Sequence, residues 1–260
     1  ILYSDYYEHY YGEKNISPET LKNINKLERK TIKKCYKVFL SSLWSLAKAK
    51  NKYKKFNNKF HHLNFGPNLK DKIRIKTLYK NLSKRPKKKI NLITLSVEWR
   101  RKGLNKILKL NEIINQKGAD CFLTVIGLKK KKLKKKKVQF VGFINKNKIN
   151  GEKFISDYLL KSHFHILFSR SEAYGLALIE ANSRGVPNIA FNTGGISQIV
   201  KNNVNGKIFN QNEDLHNIAN FIIKAFKNQK SYQKLALSSY SEYQKNYNYD
   251  IIIEKFINLL

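Results

Sequence analysis

From Ile90 onward two hydrophobic textures alternate along the chain. INLITLSV from Ile90, CFLTVIG from Cys121, VQFVGFI from Val138, HFHILFS from His163 and PNIAFN from Pro187 are short, nearly continuous apolar runs. They have the length and composition of buried strands. In GLNKILKLNEIINQKG (closed by Gly118), GEKFISDYLLKS and AYGLALIEANSRG, apolar positions instead recur at the helical period. Strands alternating with helices predict an α/β fold with a doubly wound parallel sheet, where ligands bind outside the carboxyl ends of the strands.

Residues 1–69 read differently. They are aromatic, with an amphipathic run from Ser17 to Cys35, a strand-like KVFLSS, a segment SSLWSLAKAKNKY opening on serines able to cap a helix, and FHHLNFGPNL, a strand entering a Gly-Pro turn. Residues 70–89, a mixed helix and the cluster SKRPKKK, read as a linker. The second domain then covers 90–245, and 246–260 is a terminal helix expected to pack back on the first domain.

Within the stretch SRSEAYGLALIEANSRG, a helix from about Tyr174 is apolar or small through Ala181 except for Glu180, and Glu172 stands just before it. A carboxylate on a buried helix costs several kcal/mol unless paired or hydrogen-bonded, so Glu180 needs a partner. It can accept from the cis hydroxyls of a nucleotide ribose, as acidic residues do in other nucleotide-binding sheets, or pair with a core lysine. Glu172, at the carboxyl end of a strand, faces the ligand crevice or simply favours a helix N-terminus. Gly175 permits close backbone approach where unpaired amides suit a diphosphate. Arg100, Arg101 and Lys102 follow the first strand toward the same crevice, with Lys102 before Gly103 suited to clamp phosphate. Gly194 and Gly195 follow another strand, where backbone amides can again approach a ligand.

Charge adds a competing picture. With 52 Lys+Arg against 18 Asp+Glu the formal charge is +34, which alone suggests an anionic partner. Yet lysine far outnumbers arginine and Asn, Ile and Tyr are abundant, the signature of an A- and T-rich coding sequence; arginine, the better phosphate reader, is scarce. The run KKKKLKKKK from Lys129 to Lys137 reads as a solvated loop, with a phosphate or lipid patch as the other reading. Cys35 and Cys121 lack metal-ligand spacing and are expected to be small core hydrophobes in a reducing compartment. Absence of methionine and the strand-like opening ILYSDYY suggest a fragment; Asp5 receives no role, and His61 and His62 read as strand residues. No signal peptide and no run of about 20 apolar residues is visible.

Together these pieces resemble a family: the retaining GT-B-fold glycosyltransferases grouped as family 4. Its pattern of a Glu, seven residues and a second Glu, with Phe/Tyr-Gly between, is similar to Glu172 through Glu180 with Tyr174 and Gly175. Gly185 to Pro187, Gly194 to Gly195 and Asn205 to Gly206 are similar to the family's GVP, GG and NG, and VEWRRKG to a subgroup form in which Trp precedes Arg-Lys-Gly. ERKTIKKCYKVFLSSLWSLAKAKNKY with LNFGPNL is similar to the end of the family's N-terminal domain, so nearly the whole chain is covered. Two positions depart: Ser96 where many members carry Arg, and Gln198 where the family has an acid in GGxxE.

The resemblance implies a GT-B architecture, a Rossmann-like C-terminal donor domain with a partial N-terminal Rossmann-like domain that would hold the acceptor. It implies transfer of a sugar from a nucleoside diphosphate with retention. Arg101 and Lys102, with backbone at Gly175 and Leu176, would hold the donor diphosphate, Glu180 the ribose, and Glu172 would be the catalytic residue near the reacting carbon. Arg100, Tyr174, Ala177, Gly194 and Gly195 would complete the donor loop. No metal or cofactor is expected. The partners would be a nucleotide-sugar donor and a glycan, lipid or small-molecule acceptor, with no nucleic acid; the location would be cytoplasmic, with peripheral contact to an acidic membrane. The rivals are a basic nucleic-acid-binding or scaffold protein on a catalytically lost GT-B fold, and a GT-B enzyme that epimerises or hydrolyses its sugar nucleotide. Positive charge in the crevice favours the transferase; charge spread over an outer face favours the nucleic-acid binder.

Overall fold

A computed structural model describes residues 16–69, 72–128 and 136–260. The strand-like opening segment, Asp5 included, and most of the lysine run lie outside the described residues. The smaller part begins with α1 (Pro18–Lys34), β1 (Val38–Leu40) and α2 (Leu43–Lys52), then a 3-10 turn (Lys54–Lys59) and β2 (Phe60–His62). Ser17 caps α1 by accepting from the Thr20 N–H at 3.1 Å, with Pro18 at its first turn, and Ser42 caps α2 through the Ser45 N–H. β1 and β2 pair in parallel, and Ile32, Leu40, Ala49, Tyr53 and Phe60 close a small core over them.

The larger part comprises α3 (Ile75–Lys84), β3 (Ile90–Leu95), α4 (Leu104–Gln116), β4 (Cys121–Ile126), β5 (Val138–Gly142), α5 (Gly151–Leu160), β6 (Phe164–Leu167) and α6 (Leu176–Asn182). It continues through β7 (Asn188–Phe191), α7 (Ile196–Ile199), β8 (Gly206–Phe209), α8 (Leu215–Lys227), α9 (Gln229–Asn246) and α10 (Tyr249–Leu259). Six strands form one parallel sheet in the order β5-β4-β3-β6-β7-β8. This is the doubly wound sheet the apolar runs predict. The edge strand β8, GKIF, is half-exposed beyond Gly206 and carries a lysine, so it does not announce itself as an apolar run.

Residues 75–84, inside the stretch read as a linker, form α3, and its Leu78 and Leu82 are buried in the main core with β3, α4 and β6. Arg85 just beyond is buried as well, its guanidinium donating to the carbonyls of Leu160, Arg184 and Gly185 and to the Tyr232 hydroxyl. The basic cluster is thus partly an interior anchor. Cys121 is buried, whereas Cys35 is only half-buried, because it ends α1, where its N–H closes the last turn on the Thr31 carbonyl. α10 lies against the smaller part: Phe256 packs edge-on to Phe39 at 5.1 Å, and Lys37 reaches the carbonyls of Leu259 and Leu260. Among the described residues no helix is long and apolar enough to cross a membrane.

Candidate active site

The sheet order reverses between β3 and β6: the chain leaves β3 for β4 and β5, then returns to β6 on the other side of β3. Segments leaving the carboxyl ends of these neighbours must diverge, and a crevice opens there. The β3 exit carries Arg101 and Lys102; the β6 exit carries Ser169 and Glu172. The exits are joined by the Arg170 N–H donating to the Arg101 carbonyl at 2.8 Å. Glycine makes this stacking possible. Gly103 has φ +69°, and a Cβ there would meet the Phe168 carbonyl at 2.2 Å; Gly194, from the β7 exit, has φ +54°, and a Cβ would meet the Glu172 carbonyl at 2.0 Å. The Gly195 N–H donates to that same carbonyl at 3.1 Å, so the glycine pair holds the Glu172 loop in place.

Glu172 is buried, and one carboxylate oxygen gathers its partners. Oε2 accepts from Lys102 Nζ, from Ser169 Oγ at 3.2 Å and from Arg101 Nη1 at 3.4 Å. Arg101 also donates to the Ser171 carbonyl at 2.9 Å and to Glu98 at 2.5 Å. Burial pushes the Glu172 carboxyl upward, but Lys102, Arg101 and Ser169 together outweigh it and hold it below the ordinary carboxylate range. The centre is therefore an ionised carboxylate under two cations, one of which Glu98 also engages.

Glu180 lies on the buried face of α6, where its carboxylate accepts from Lys146 Nζ. Lys146 comes from the segment after β5, and its side chain keeps 23% exposure against 4% for Glu180. Of the two partners the sequence offered for this carboxylate, a lysine is the one in place. Lys146 escaped the sequence reading because nothing in INKNK separates it from the other lysines; only its place at a strand exit could have marked it.

The remaining candidates divide. Gly175, with φ +101°, starts α6 at Leu176 rather than at Tyr174, and Ala177 is half-buried on its first turn. Tyr174 is turned away: its hydroxyl donates to the Phe65 carbonyl and accepts from the Phe65 N–H, both at 2.8 Å, tying the loop to the smaller part. Arg100 stacks on Trp99 at 5.1 Å and borders a separate concavity. Ser96 is fully buried and bonded to Thr94 at 2.8 Å. Gln198 accepts from the Leu43 N–H at 2.6 Å while donating to His62 Nε2 at 2.8 Å and Asn64 Oδ1 at 2.7 Å. As the partners are oriented, the last two bonds use the amide N–H groups, which a carboxylate lacks. Burial depresses the His62 pKa, consistent with a neutral ring accepting there.

His165 lies in β6, and nothing in HFHILFS separates it from an ordinary strand residue. It is fully buried, its Nδ1 bonds Asn188 Oδ1 at 2.8 Å, and burial, with Lys102 nearby, pushes its pKa down to about 4.

The family model described as "Glycosyl transferases group 1" matches residues 75–242. No curated protein sequence matches the chain. Among solved structures it resembles sucrose-phosphate synthase from Thermosynechococcus elongatus, at 18% identity and TM-score 0.75, covering 99% of this chain and 64% of that one. It also resembles TarM, at 16% identity and TM-score 0.70 over 95% of this chain and 48% of that one. A third is Anabaena HepE in complex with UDP and glucose, at 14% identity and TM-score 0.66, covering 95% and 67%. The chain thus spans less than two thirds of the first two structures, and the likeness establishes a Rossmann-like GT-B fold.

Proposed function

The chain belongs to the glycosyl transferases group 1 family, and from that premise we propose that it transfers a sugar from a nucleoside diphosphate to a glycan, lipid or small-molecule acceptor, with retention of configuration, as in family 4. The observation that carries this reading is the Glu172–Lys102–Arg101 cluster at the switch point of the sheet. As the bond to the sugar breaks, negative charge develops on the leaving diphosphate. Lys102 and Arg101, already held at the crevice before the donor arrives, stabilise it electrostatically as Lys102 exchanges part of its contact with Glu172 for phosphate. We assign that task to these cations rather than to a metal, with the backbone at Gly175 and Leu176 alongside. Glu172, relieved of part of its cationic cover when phosphate competes for Lys102, faces the donor sugar. Glu180 takes the ribose hydroxyls, and Lys146 yields its place to them.

Buried cation–carboxylate pairs inside the crevice support this over the nucleic-acid-binding alternative, which needs charge on an outer face. The same reading puts the protein in the cytoplasm, against an acidic membrane. UDP is the nucleotide to try first, because the HepE structure holds it. Calorimetry against UDP, GDP, ADP and the matching nucleosides tests the assignment. Lys102→Ala is expected to weaken diphosphate binding about tenfold or more while leaving nucleoside binding nearly unchanged. Equal weakening of both would mean that Lys102 acts through the fold and not on phosphate.

A further inference from the structure

The two strand exits that build the glutamate centre also border a second concavity of about 420 Å³, within the range of small-ligand sites. Arg101, Lys102, Glu172 and Glu180 do not line it. Residues of the β6 exit alternate between the two places: Phe168 and Arg170 line the cavity, while Ser169 and Glu172 meet at the carboxylate centre. The β3 exit divides the same way, with Trp99 and Arg100 in the cavity and Lys102 on Glu172.

The chemistry of the walls is uniform. Three cations, Arg100, Lys106 and Arg170, come from two strand exits and the first turn of α4, and among the described residues no acidic side chain lines the cavity. Neither Arg100 nor Arg170 is paired with a carboxylate among the described residues. The floor is apolar: Phe168 and Phe191 stack at 4.2 Å, with Lys106 Nζ 5.0 Å from the Phe191 ring. One rim is tied down, because Lys106 donates to the Gln211 carbonyl at 2.7 Å and the Gln211 amide donates to Thr193 Oγ1 at 2.6 Å. Guanidinium forks match phosphate oxygens two at a time, and an aromatic face beside them suits the apolar face of a ring.

We propose that this cavity is a second binding site, separate from the donor centre, for a small phosphate monoester carried on a sugar-sized ring. Arg100 and Arg170 grip the phosphate, Lys106 adds charge, and the ring lies against Trp99. The proposal stands independently of the donor assignment, because it shares no side chain with Glu172 or Glu180.

The test uses Trp44→Phe protein, which leaves Trp99 as the one remaining tryptophan of the two in the chain. Glucose 6-phosphate is expected to change Trp99 fluorescence saturably at millimolar concentration or below, with glucose and inorganic phosphate each about tenfold weaker or more. Arg170→Ala should weaken glucose 6-phosphate about tenfold, and Lys106→Ala by a smaller factor, with thermal unfolding unchanged because both side chains are exposed. Saturating UDP should leave the titration where it was. No saturation up to about 10 mM overturns the proposal. So does a response undiminished in Arg170→Ala and Lys106→Ala alike. Inorganic phosphate binding as tightly as the sugar phosphate reduces the cavity to a bare-anion site, and displacement by UDP makes it part of the donor site; either result refutes a second sugar-phosphate site.

Discussion

Glu172 and Glu180 stand eight positions apart, and both are buried. They are held in opposite ways. Glu172 is gripped by a lysine, an arginine and a serine fixed on two loops that are themselves stitched backbone to backbone. Glu180 meets one lysine, on a different loop, whose end is partly in solvent. Removing a ligand of Glu172 disturbs a packed polar centre; displacing Lys146 from Glu180 only returns a flexible cation to water, which hydrates it well. The difference separates a preorganised electrostatic centre from a position where an incoming hydroxyl pair can replace a side chain.

Substitutions at the two glutamates should therefore give different kinetic signatures. The largest effect is expected from Glu172→Gln, which keeps the volume and removes the charge. Transfer should fall about a thousandfold with nucleotide affinity altered little, read as kcat against the Kd for the diphosphate. A variant with near-normal kcat would leave Glu172 as a structural counterion.

Acid should strike the Glu172 side next. His165 lies in the strand that leads to Glu172, and burial holds its pKa near 4. His163, at the start of the same strand, has Nδ1 accepting from the Asn91 N–H and Nε2 bonded to the Pro86 carbonyl, and its pKa is lowered to about 3. Both rings are neutral in the fold. Between the ordinary histidine value and these lowered ones the unfolded chain binds more protons, so stability is full above about pH 6.5 and falls as pH drops toward 4. At pH 5 the loss should approach about 2 kcal/mol per histidine at most. Glu172, whose pKa is also lowered but whose folded form is the charged one, adds its own loss only below the ordinary carboxylate range. Urea unfolding at pH 7.5 and 5 checks this: His165→Asn should about halve the difference, leaving the His163 share, and an unchanged pH dependence in that variant would remove His165 from the account.

The smallest effect is expected at the other glutamate. Glu180→Gln should weaken nucleotide binding about tenfold and leave kcat at saturation close to the original, because the ribose contact is the same before and at the transition state. Unaltered nucleotide affinity by calorimetry would make Glu180–Lys146 a purely structural pair.

The alternation of apolar runs with helical periods, the serine caps at Ser17 and Ser42, and the spacing of Glu172, Gly175 and Glu180 are local facts, and the chain carries them in linear order. They determined the parallel α/β class, the crevice at the strand ends and most candidate residues. What they leave open depends on distance across the sheet. Lys146 is one lysine among many until β5 is set beside β4 and its exit reaches α6. Ser169 and His165 look like ordinary strand residues until β6 returns beside β3. The basic cluster around Arg85 reads as a solvated connection because composition does not tell a guanidinium in water from one that satisfies three interior carbonyls. Gly103 and Gly194 are legible as glycines at strand exits, but their neighbours are the Phe168 and Glu172 carbonyls, an approach only tertiary packing creates. Periodicity follows from each residue's own neighbours in the chain and is written there; charge pairing, burial of polar groups and close backbone contact follow from strand order, which packing alone decides.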